Sequence, residues 1–569
     1  MSRWSHVGGV LAGSLLVVVS TAAGCGGNSG GSQFNTGPMA MGMFGGDDDG
    51  GGALGGGSTG GGTPYGGTVG AMCPTGAQCD VTCSGTTTTT ISGTVHDPAG
   101  KNPLYGISVY VPGGPLQPLP AGVPTGSDAC SCAALFKSGA VVSTTTDVNG
   151  KFTLQNAPVG SNIPLVIQVG KWRHVTSVNT TSCQDTAMTG TSVDLNGTVA
   201  AGSQDSMPDI AVSTGDADTL ECLMKRIGLA DTEYVAGPAT GGHVHVFSGG
   251  QPGGGGGGGG GVGGAETNPM AGAPESDTNL WDSVDHLMAY DILLLSCEGG
   301  ETYKANPGNL EQYLNAGGRA FASHYHYAWF SNNLSSNQGY AAPADWGANL
   351  AAWTPSGGTN AGPEDGTIVQ TLNVGGGTFA KGQALDQWLG VVNALGHDGA
   401  PAGELGIFAP RYNAKVSATN TPSQPWITDS VAGGGGGGTG GGGCFGRRCD
   451  AGTGGGGGTT TDWTMYFSFD TPVDATATTD GGTPNYCGRA VFSDLHVSGC
   501  NGMGSCGDQV PYASANDSPN NMGGMAPPQG CTAGDLSPQE EVLEFMLFDL
   551  SSCVVSDRVV PPTMVPIVN

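Results

Sequence analysis

Lys and Arg are scarce in this sequence. The 569 residues include 17 Lys and Arg against 46 Asp and Glu, which leaves a formal net charge of −29 at pH 7. Because nucleic-acid phosphates are bound by basic surfaces, this balance excludes a nucleic-acid partner. Charged residues of both signs reach only 11% of the chain, which argues against a charge-driven disordered polymer.

Long hydrophobic runs are also missing, since no stretch reaches the roughly 20 apolar residues that a transmembrane helix needs. The apolar run Val10–Val19 follows a short basic start and precedes small residues, as in an export signal. The tetrapeptide at 22–25, Ala-Ala-Gly-Cys, resembles a bacterial lipobox, whose cysteine is acylated. The resemblance implies a lipoprotein signal peptide over 1–25, lipidation at Cys25 and anchoring to a membrane of the cell envelope, with the outer membrane favoured. An ordinary signal peptide cleaved near Ala23 is the alternative.

Glycine is what the sequence has in excess, with 107 Gly alongside 35 Pro. This composition approaches low complexity, and homopolymeric glycine cannot build a packed core. We therefore predict a disordered tether over 26–87, Gly-rich insertions at 249–274 and 432–460, and a C-terminal tail over 556–569.

Sixteen cysteines in an exported chain predict disulfide bonds. Fifteen remain when Cys25 is set aside, so at least one thiol is left free, and Cys297 at the end of an apolar run is the candidate. Cys444 and Cys449 lie in the second Gly-rich insertion, where we predict a local disulfide. Spacing does not settle the other pairings, although most cysteines are grouped along the chain: Cys73, Cys79 and Cys83; Cys130, Cys132 and Cys183; Cys487, Cys500, Cys506, Cys531 and Cys553.

Residues 88–205 have the alternating pattern of β-strands, and a hairpin turn signal occurs at 147–150. We predict an antiparallel β-sandwich, with strands near 91–95, 107–111, 141–146, 151–154 and 163–169.

Four segments, in this order along the chain, carry a family resemblance: Ile-Ser-Gly-Thr-Val-His-Asp from 91, Gly-Ile-Ser-Val-Tyr-Val from 106, Thr-Thr-Asp-Val-Asn-Gly-Lys-Phe-Thr-Leu from 145, and Pro-Val-Gly from 158. Together they resemble the carboxypeptidase regulatory-like (prealbumin-like) domain. The resemblance implies a non-catalytic accessory module.

Residues 210–555 alternate between helix and strand patterns. Helices are predicted at 220–227, 280–288, 307–314, 379–395 and 538–550, and strands at 243–247, 291–296, 319–323, 463–469 and 488–493. The last helix has the clearest start, because Ser537 and Glu540 form a capping box. This alternation predicts a doubly wound, flavodoxin-like α/β domain. Apart from one helix, residues 332–462 have no evident place in it.

The segments 290–300, 316–324 and 488–496 resemble the class I glutamine amidotransferase-like superfamily, in particular its trehalose-utilisation-like branch. Members place a nucleophilic Cys after the second of these strands, where this chain has Ser323 and His324. The resemblance therefore implies a domain that is non-catalytic or repurposed.

Polar residues gather at the carboxyl ends of three predicted strands, where ligands bind in doubly wound sheets. They are Cys297, Glu298, Ser323, His324, His326, Asp494 and His496. In a catalytic interpretation, Cys297 is the nucleophile, His324 or His326 its base, and Glu298 orients the base. In the alternative interpretation, Cys297 is an inert packing residue.

The same positions offer metal ligands, since imidazole and carboxylate groups suit Zn²⁺ or another divalent ion. The predicted ligands are His324, His326, Asp494 and His496. On an extended segment, alternate residues point the same way, which places His324 beside His326. Alternatively, 323–329 is an aromatic-rich loop with hydrogen-bonded histidines.

The leading hypothesis is a cell-envelope lipoprotein that binds a carbohydrate or protein ligand without catalysis. A secreted hydrolase or sugar-modifying enzyme that uses the Cys/His/Glu or metal site is the alternative. A purely structural envelope protein is the third hypothesis.

Overall fold

The computed structural model describes residues 72–85, 87–215, 218–250, 270–302, 304–335, 341–355, 364–408, 410–432, 460–475, 485–497, 525–555 and 557. The predicted signal peptide, the lipidation site Cys25 and the predicted pair Cys444 and Cys449 lie outside these residues, as do most of the Gly-rich segments. None of the helices described has the length and apolar character needed to cross a membrane.

The described chain is rich in β-structure, has few helices and contains one large mixed sheet. Its N-terminal part forms seven strands: β1 (Thr90–Thr94), β2 (Ser108–Pro112), β3 (Ala140–Thr145), β4 (Lys151–Leu154), β5 (Gly160–Val169), β6 (Trp172–Thr180) and β7 (Asp185–Ala187). They build an antiparallel sheet in the order β3-β2-β5-β6 and a small sheet in the order β4-β1-β7, in which β1 and β7 are parallel. Ile91 and Phe152 of the small sheet share a core with Val109 and Ile167 of the other.

The five strands predicted here are present, and β6 and β7 are additional. The turn at 147–150 forms, with the Gly150 N–H donating to Asp147 O at 2.9 Å. However, the predicted hairpin is wrong, because β3 pairs with β2 in one sheet and β4 pairs with β1 in the other.

The large sheet has ten strands: β8 (Ile210–Ser213), β9 (Tyr234–Ala236), β10 (Val244–Phe247), β11 (Ile292–Leu295), β12 (Arg319–Ser323), β14 (Glu364–Ile368), β15 (Leu405–Ile407), β17 (Ser423–Ala432), β18 (Thr460–Thr471) and β19 (Gly488–Ser493). Their order is β15-β14-β17-β18-β19-β12-β11-β8-β10-β9. The six strands β19, β12, β11, β8, β10 and β9 are parallel to one another. The other four, β18, β17, β14 and β15, continue the sheet from β19, and each pairs antiparallel with the strand before it. Two further strands, β13 (Ala352–Trp353) and β16 (Ala414–Lys415), form a separate antiparallel pair. Residues 332–462 thus contribute β14, β15 and β17, which are the three strands at one end of the large sheet.

The described helices are α1 (Leu220–Arg226), α2 (Ser276–Asn279), α3 (Val284–Leu287), α4 (Pro307–Asn315), α5 (Ala380–Val391) and α6 (Pro538–Ser551). The helix predicted at 280–288 is shorter in the structure, where α3 covers Val284–Leu287 and begins at Ser283, whose hydroxyl accepts the His286 N–H; α2 lies before the predicted span. The capping box of α6 is present, since Ser537 Oγ accepts the Glu540 N–H and the Glu540 carboxylate accepts the Ser537 N–H.

Five disulfides join the described cysteines: Cys73–Cys79, Cys83–Cys183, Cys130–Cys487, Cys132–Cys553 and Cys222–Cys531. The prediction of disulfide bonding is confirmed, and most pairs join cysteines that are far apart in sequence. Two of them, Cys130–Cys487 and Cys132–Cys553, link the segment between β2 and β3 to residues beside β19 and α6. Among the described residues, Cys297 is the free cysteine, and it is buried.

Candidate metal centre

The site lies at one edge of the large sheet. Strands β11, β12 and β19 are parallel neighbours, with Leu295 opposite Ala322. The chain therefore leaves all three strands at the same edge, where their carboxyl ends meet. Cys297 follows β11, His324 follows β12 and His496 follows β19.

These three side chains form a compact, buried cluster. Each offers one ligand atom, and the three atoms lie within 4.8 Å of one another. Cys297 Sγ is 3.2 Å from His324 Nδ1, and the two imidazole ring centroids are 5.1 Å apart. The exposed fraction is 0% for Cys297, 3% for His324 and 4% for His496. Three of the residues that the sequence assigned to this edge are therefore brought together.

The backbone at His324 is strained. Its φ is 41°, in the left-handed region that side-chain-bearing residues rarely adopt. This residue ends β12 and begins a 3-10 helix (His324–Trp329), so the chain turns sharply there. Strained residues of this kind cluster at binding and catalytic sites, where the surrounding structure holds them.

Three buried imidazole nitrogens in the cluster have no hydrogen-bond partner in the described chain: Nε2 of His324 and both nitrogens of His496. A buried polar atom left in this way costs about 1–3 kcal/mol. Burial lowers the pKa of both histidines well below the usual value, and the positive charge of Arg411 acts in the same direction. Neutral imidazole is the form that binds metals, so these residues fit a metal ion.

Cys297 is a neutral thiol in this environment, because burial raises its pKa to about 12. A cysteine nucleophile works as a thiolate beside a base or a cationic imidazole. Cys297 and His324 do not form such a pair, because the sulfur keeps its proton and the imidazole is uncharged. A bound metal would displace the thiol proton, as it does at thiolate sites generally.

His326 is not brought into the cluster, because both of its ring nitrogens are engaged elsewhere. Nε2 lies 2.8 Å from the carbonyl oxygen of Ser296, and Nδ1 accepts the Trp329 indole N–H at 3.2 Å. In an extended segment, His324 and His326 would point to the same side. The 3-10 helix changes this, because residues two apart in such a helix, with about three residues per turn, point in different directions.

Asp494 is not part of the cluster either. Its Oδ2 accepts the backbone N–H groups of Asn413 and Ala414, at 2.8 and 3.3 Å. Burial raises the pKa of this carboxyl to about 7, despite these two hydrogen bonds. Asp494 therefore fixes the segment that carries Arg411, whose N–H donates to Asp494 O at 3.0 Å.

Glu298, the residue after Cys297, belongs to a second buried group. Its carboxylate accepts Lys304 Nζ at 2.9 Å, the Thr302 hydroxyl, and the Gly250 N–H at 3.1 Å. His326 Nε2 is farther away, at 3.9 Å. Burial opposes ionisation of Glu298, but the charges of Lys304 and His326 lower its pKa to about 2. The structure thus places Glu298 in an ion pair with Lys304.

Three residues that shape this region were not singled out from the sequence: Asp218, which accepts the Ser323 hydroxyl and the Val497 N–H, together with Lys304 and Arg411. Lys304 and Arg411 are buried, with exposed fractions of 1% and 3%. No local motif marks either of these two basic residues as part of the site. Asp218 follows no recognisable motif.

No family model, curated protein or solved structure matches this chain. The function is therefore inferred from the geometry of the site and from the export pattern of the sequence.

Proposed function

We propose that this protein is an exported, lipid-anchored protein of the cell envelope that binds a transition-metal ion through Cys297, His324 and His496. The observation that carries the proposal is the convergence of three buried ligand atoms within 4.8 Å. Among the divalent ions common in proteins, Zn²⁺ is one that binds to cysteine sulfur and histidine nitrogen together. The five disulfides support an exported location, because disulfides persist in oxidising compartments.

The proposed architecture for residues 210–555 is a doubly wound, flavodoxin-like domain of the amidotransferase-like kind. Six parallel strands in the order β9-β10-β8-β11-β12-β19 support it, as does the position of the cluster at their carboxyl ends. Residues 88–205 are proposed to be the regulatory-like accessory module. In this arrangement, the tether and the accessory module hold the metal-binding part at the envelope.

Binding is favoured over cysteine catalysis by the protonated state of Cys297. Its raised pKa leaves very little thiolate at neutral pH, and His324 is too weak a base to change this. A metal-dependent hydrolase is the second candidate, because catalytic zinc sites use three protein ligands and leave the fourth position to water.

Elemental analysis of the purified full chain tests the proposal. We expect one equivalent of a transition metal per chain and its loss in His496→Ala. His286→Ala is the matched control, since its side chain is 51% exposed. Metal content that is the same in wild type and His496→Ala would contradict the site. For the anchor, Cys25→Ser should move the chain out of the membrane fraction, and unchanged fractionation would contradict lipidation.

A further inference from the structure

The cluster offers a metal ion only three ligand atoms, and one of them is a soft cysteine sulfur. It consists of one sulfur and two imidazole nitrogens, with no carboxylate. Soft thiolate ligands select Cu(I), zinc and iron–sulfur clusters, whereas carboxylates select harder ions. Trigonal sets of one Cys and two His are those of copper proteins. Ligand type therefore narrows the choice to copper or zinc.

The number of ligands separates these two metals. Zinc in proteins is almost always four-coordinate. In the part of the chain that the structure describes, no fourth His, Cys, Asp or Glu joins the cluster. Of the nearby candidates, His326 is engaged with Ser296 and Trp329, and Glu298 with Lys304. Asp494 uses Oδ2 for the 413–414 backbone, and its Oδ1, which has no hydrogen-bond partner in the described chain, is not part of the cluster. All three ligands are more than nine-tenths buried, which also disfavours the water that would complete a zinc site.

We infer that the ion held by Cys297, His324 and His496 is copper, bound as Cu(I) by one thiolate and two imidazoles. This inference rests on the proposed metal site and specifies its metal. On binding, the Sγ–H bond of Cys297 breaks, the proton goes to solvent and an S–Cu bond forms, with no change in the oxidation state of the metal. The two imidazoles bind through nitrogen lone pairs and release no proton.

Competition on the full chain tests the inference. Cu(I), kept reduced by ascorbate under argon so that the disulfides stay intact, is supplied as a complex with a chromophoric chelator, in the presence of one equivalent of Zn²⁺. We expect the chain to withdraw one equivalent of Cu(I) and to leave the zinc in solution. X-ray absorption at the copper edge should then show one sulfur and two nitrogen neighbours.

Two variants make the result decisive. Cys297→Ser, which keeps the size of the side chain, should lose the one equivalent of Cu(I), while His286→Ala should retain it. If thermal unfolding shows that Cys297→Ser does not fold, His496→Gln replaces it. Zinc retained at the site, with Cu(I) bound equally by wild type and Cys297→Ser, would overturn the copper inference and leave the metal site standing. If neither metal depends on Cys297, both proposals fail.

Discussion

The carboxylate of Asp218 accepts a hydrogen bond from Ser323 Oγ at 2.6 Å. The same carboxylate accepts the backbone N–H of Val497 at 3.0 Å. Ser323 precedes His324 and Val497 follows His496, so one buried anion holds both histidine-bearing segments. Such partners orient metal ligands without touching the metal.

Asp218→Asn should therefore weaken metal binding at the cluster. We expect the affinity to fall about 10- to 100-fold, because the amide cannot accept both hydrogen bonds as the carboxylate does. Competition with a chromophoric chelator measures this change. Asp282→Asn is the control, since its carboxylate is 35% exposed and contacts only His286 among the ion pairs described. Equal affinities in both variants would show that Asp218 does not position the ligands.

Removing His326 should mainly lower stability, whereas removing His496 should mainly abolish metal binding. His326→Ala leaves the Trp329 N–H and the Ser296 carbonyl without their partner, so we expect it to lower the free energy of unfolding by about 2–4 kcal/mol and to keep the metal. His496→Ala should abolish metal binding at a smaller cost to the metal-free protein, because the His496 nitrogens have no partner to lose. Denaturant unfolding and metal analysis of the two variants measure both effects. Loss of the metal in His326→Ala, in a folded chain, would place His326 among the ligands.

The ion pair of Glu298 and Lys304 should be sensitive to removal of one partner. Lys304→Met leaves a buried carboxylate without its cation, and we expect a loss of about 3–5 kcal/mol in the free energy of unfolding. Lys304 also lies 4.5 Å from the Trp281 ring centroid, so packing contributes to its environment. The double variant Lys304→Met with Glu298→Gln should recover much of the loss. A double variant that is less stable than Lys304→Met would contradict the ion-pair explanation.

Helix α6 should make the protein more stable in mild acid than in mild base. Burial raises the pKa of Glu541 from 4.5 to about 8, and the charges of Glu540 and Asp535 act in the same direction. Burial also raises the pKa of Glu544 well above its usual value, next to Asp97. A raised pKa in the folded state means that the folded state binds the proton more tightly. The stabilisation is thus complete below about pH 4.5 and is lost as the pH rises through 8.

Denaturant unfolding between pH 5 and pH 9 measures this dependence. We expect the free energy of unfolding to decrease with pH in wild type, and to decrease less in Glu541→Gln, which cannot ionise. The disulfides and the metal-free state must be the same in every sample. Parallel curves for wild type and variant would show that Glu541 does not titrate in this range.

The disulfide Cys130–Cys487 should stabilise the fold more than Cys73–Cys79. The first closes a loop of 357 residues and the second a loop of 6. A cross-link restricts the unfolded chain more when its loop is longer, and a typical contribution is about 2–4 kcal/mol. Replacing both cysteines of each pair by Ser, followed by unfolding under non-reducing conditions, compares the two. A larger loss for the short pair would contradict the loop-entropy argument.

Local sequence determined the elements whose signals are contained in a few residues. The capping box of Ser537 and Glu540 locates the start of α6, and the apolar run before Cys297 predicts a strand buried on both sides. Such signals depend on hydrogen bonds and side-chain periodicity within one segment. The alternation of helix and strand also placed Cys297, His324 and His496 after three strands, which is how they were found as candidates.

Other features depend on contacts between distant segments and had no local signal. Strand β8, at the centre of the parallel region, was not predicted, and neither was β17 (Ser423–Ala432), which contains Pro425, a residue that is unusual inside a strand. The pairing of Cys130 with Cys487 could not be deduced, because spacing does not encode connectivity.

The membership of the cluster is also a tertiary result. The sequence by itself determined that polar residues follow β11, β12 and β19. Only the tertiary structure decided that His326 pairs with Trp329 and that Asp494 faces the 413–414 backbone. The physical reason is that a side chain's direction depends on the backbone turn that carries it and on the partners that the rest of the fold supplies. In this chain, the turn at His324 and the carboxylate of Asp218 leave Cys297, His324 and His496 facing one another.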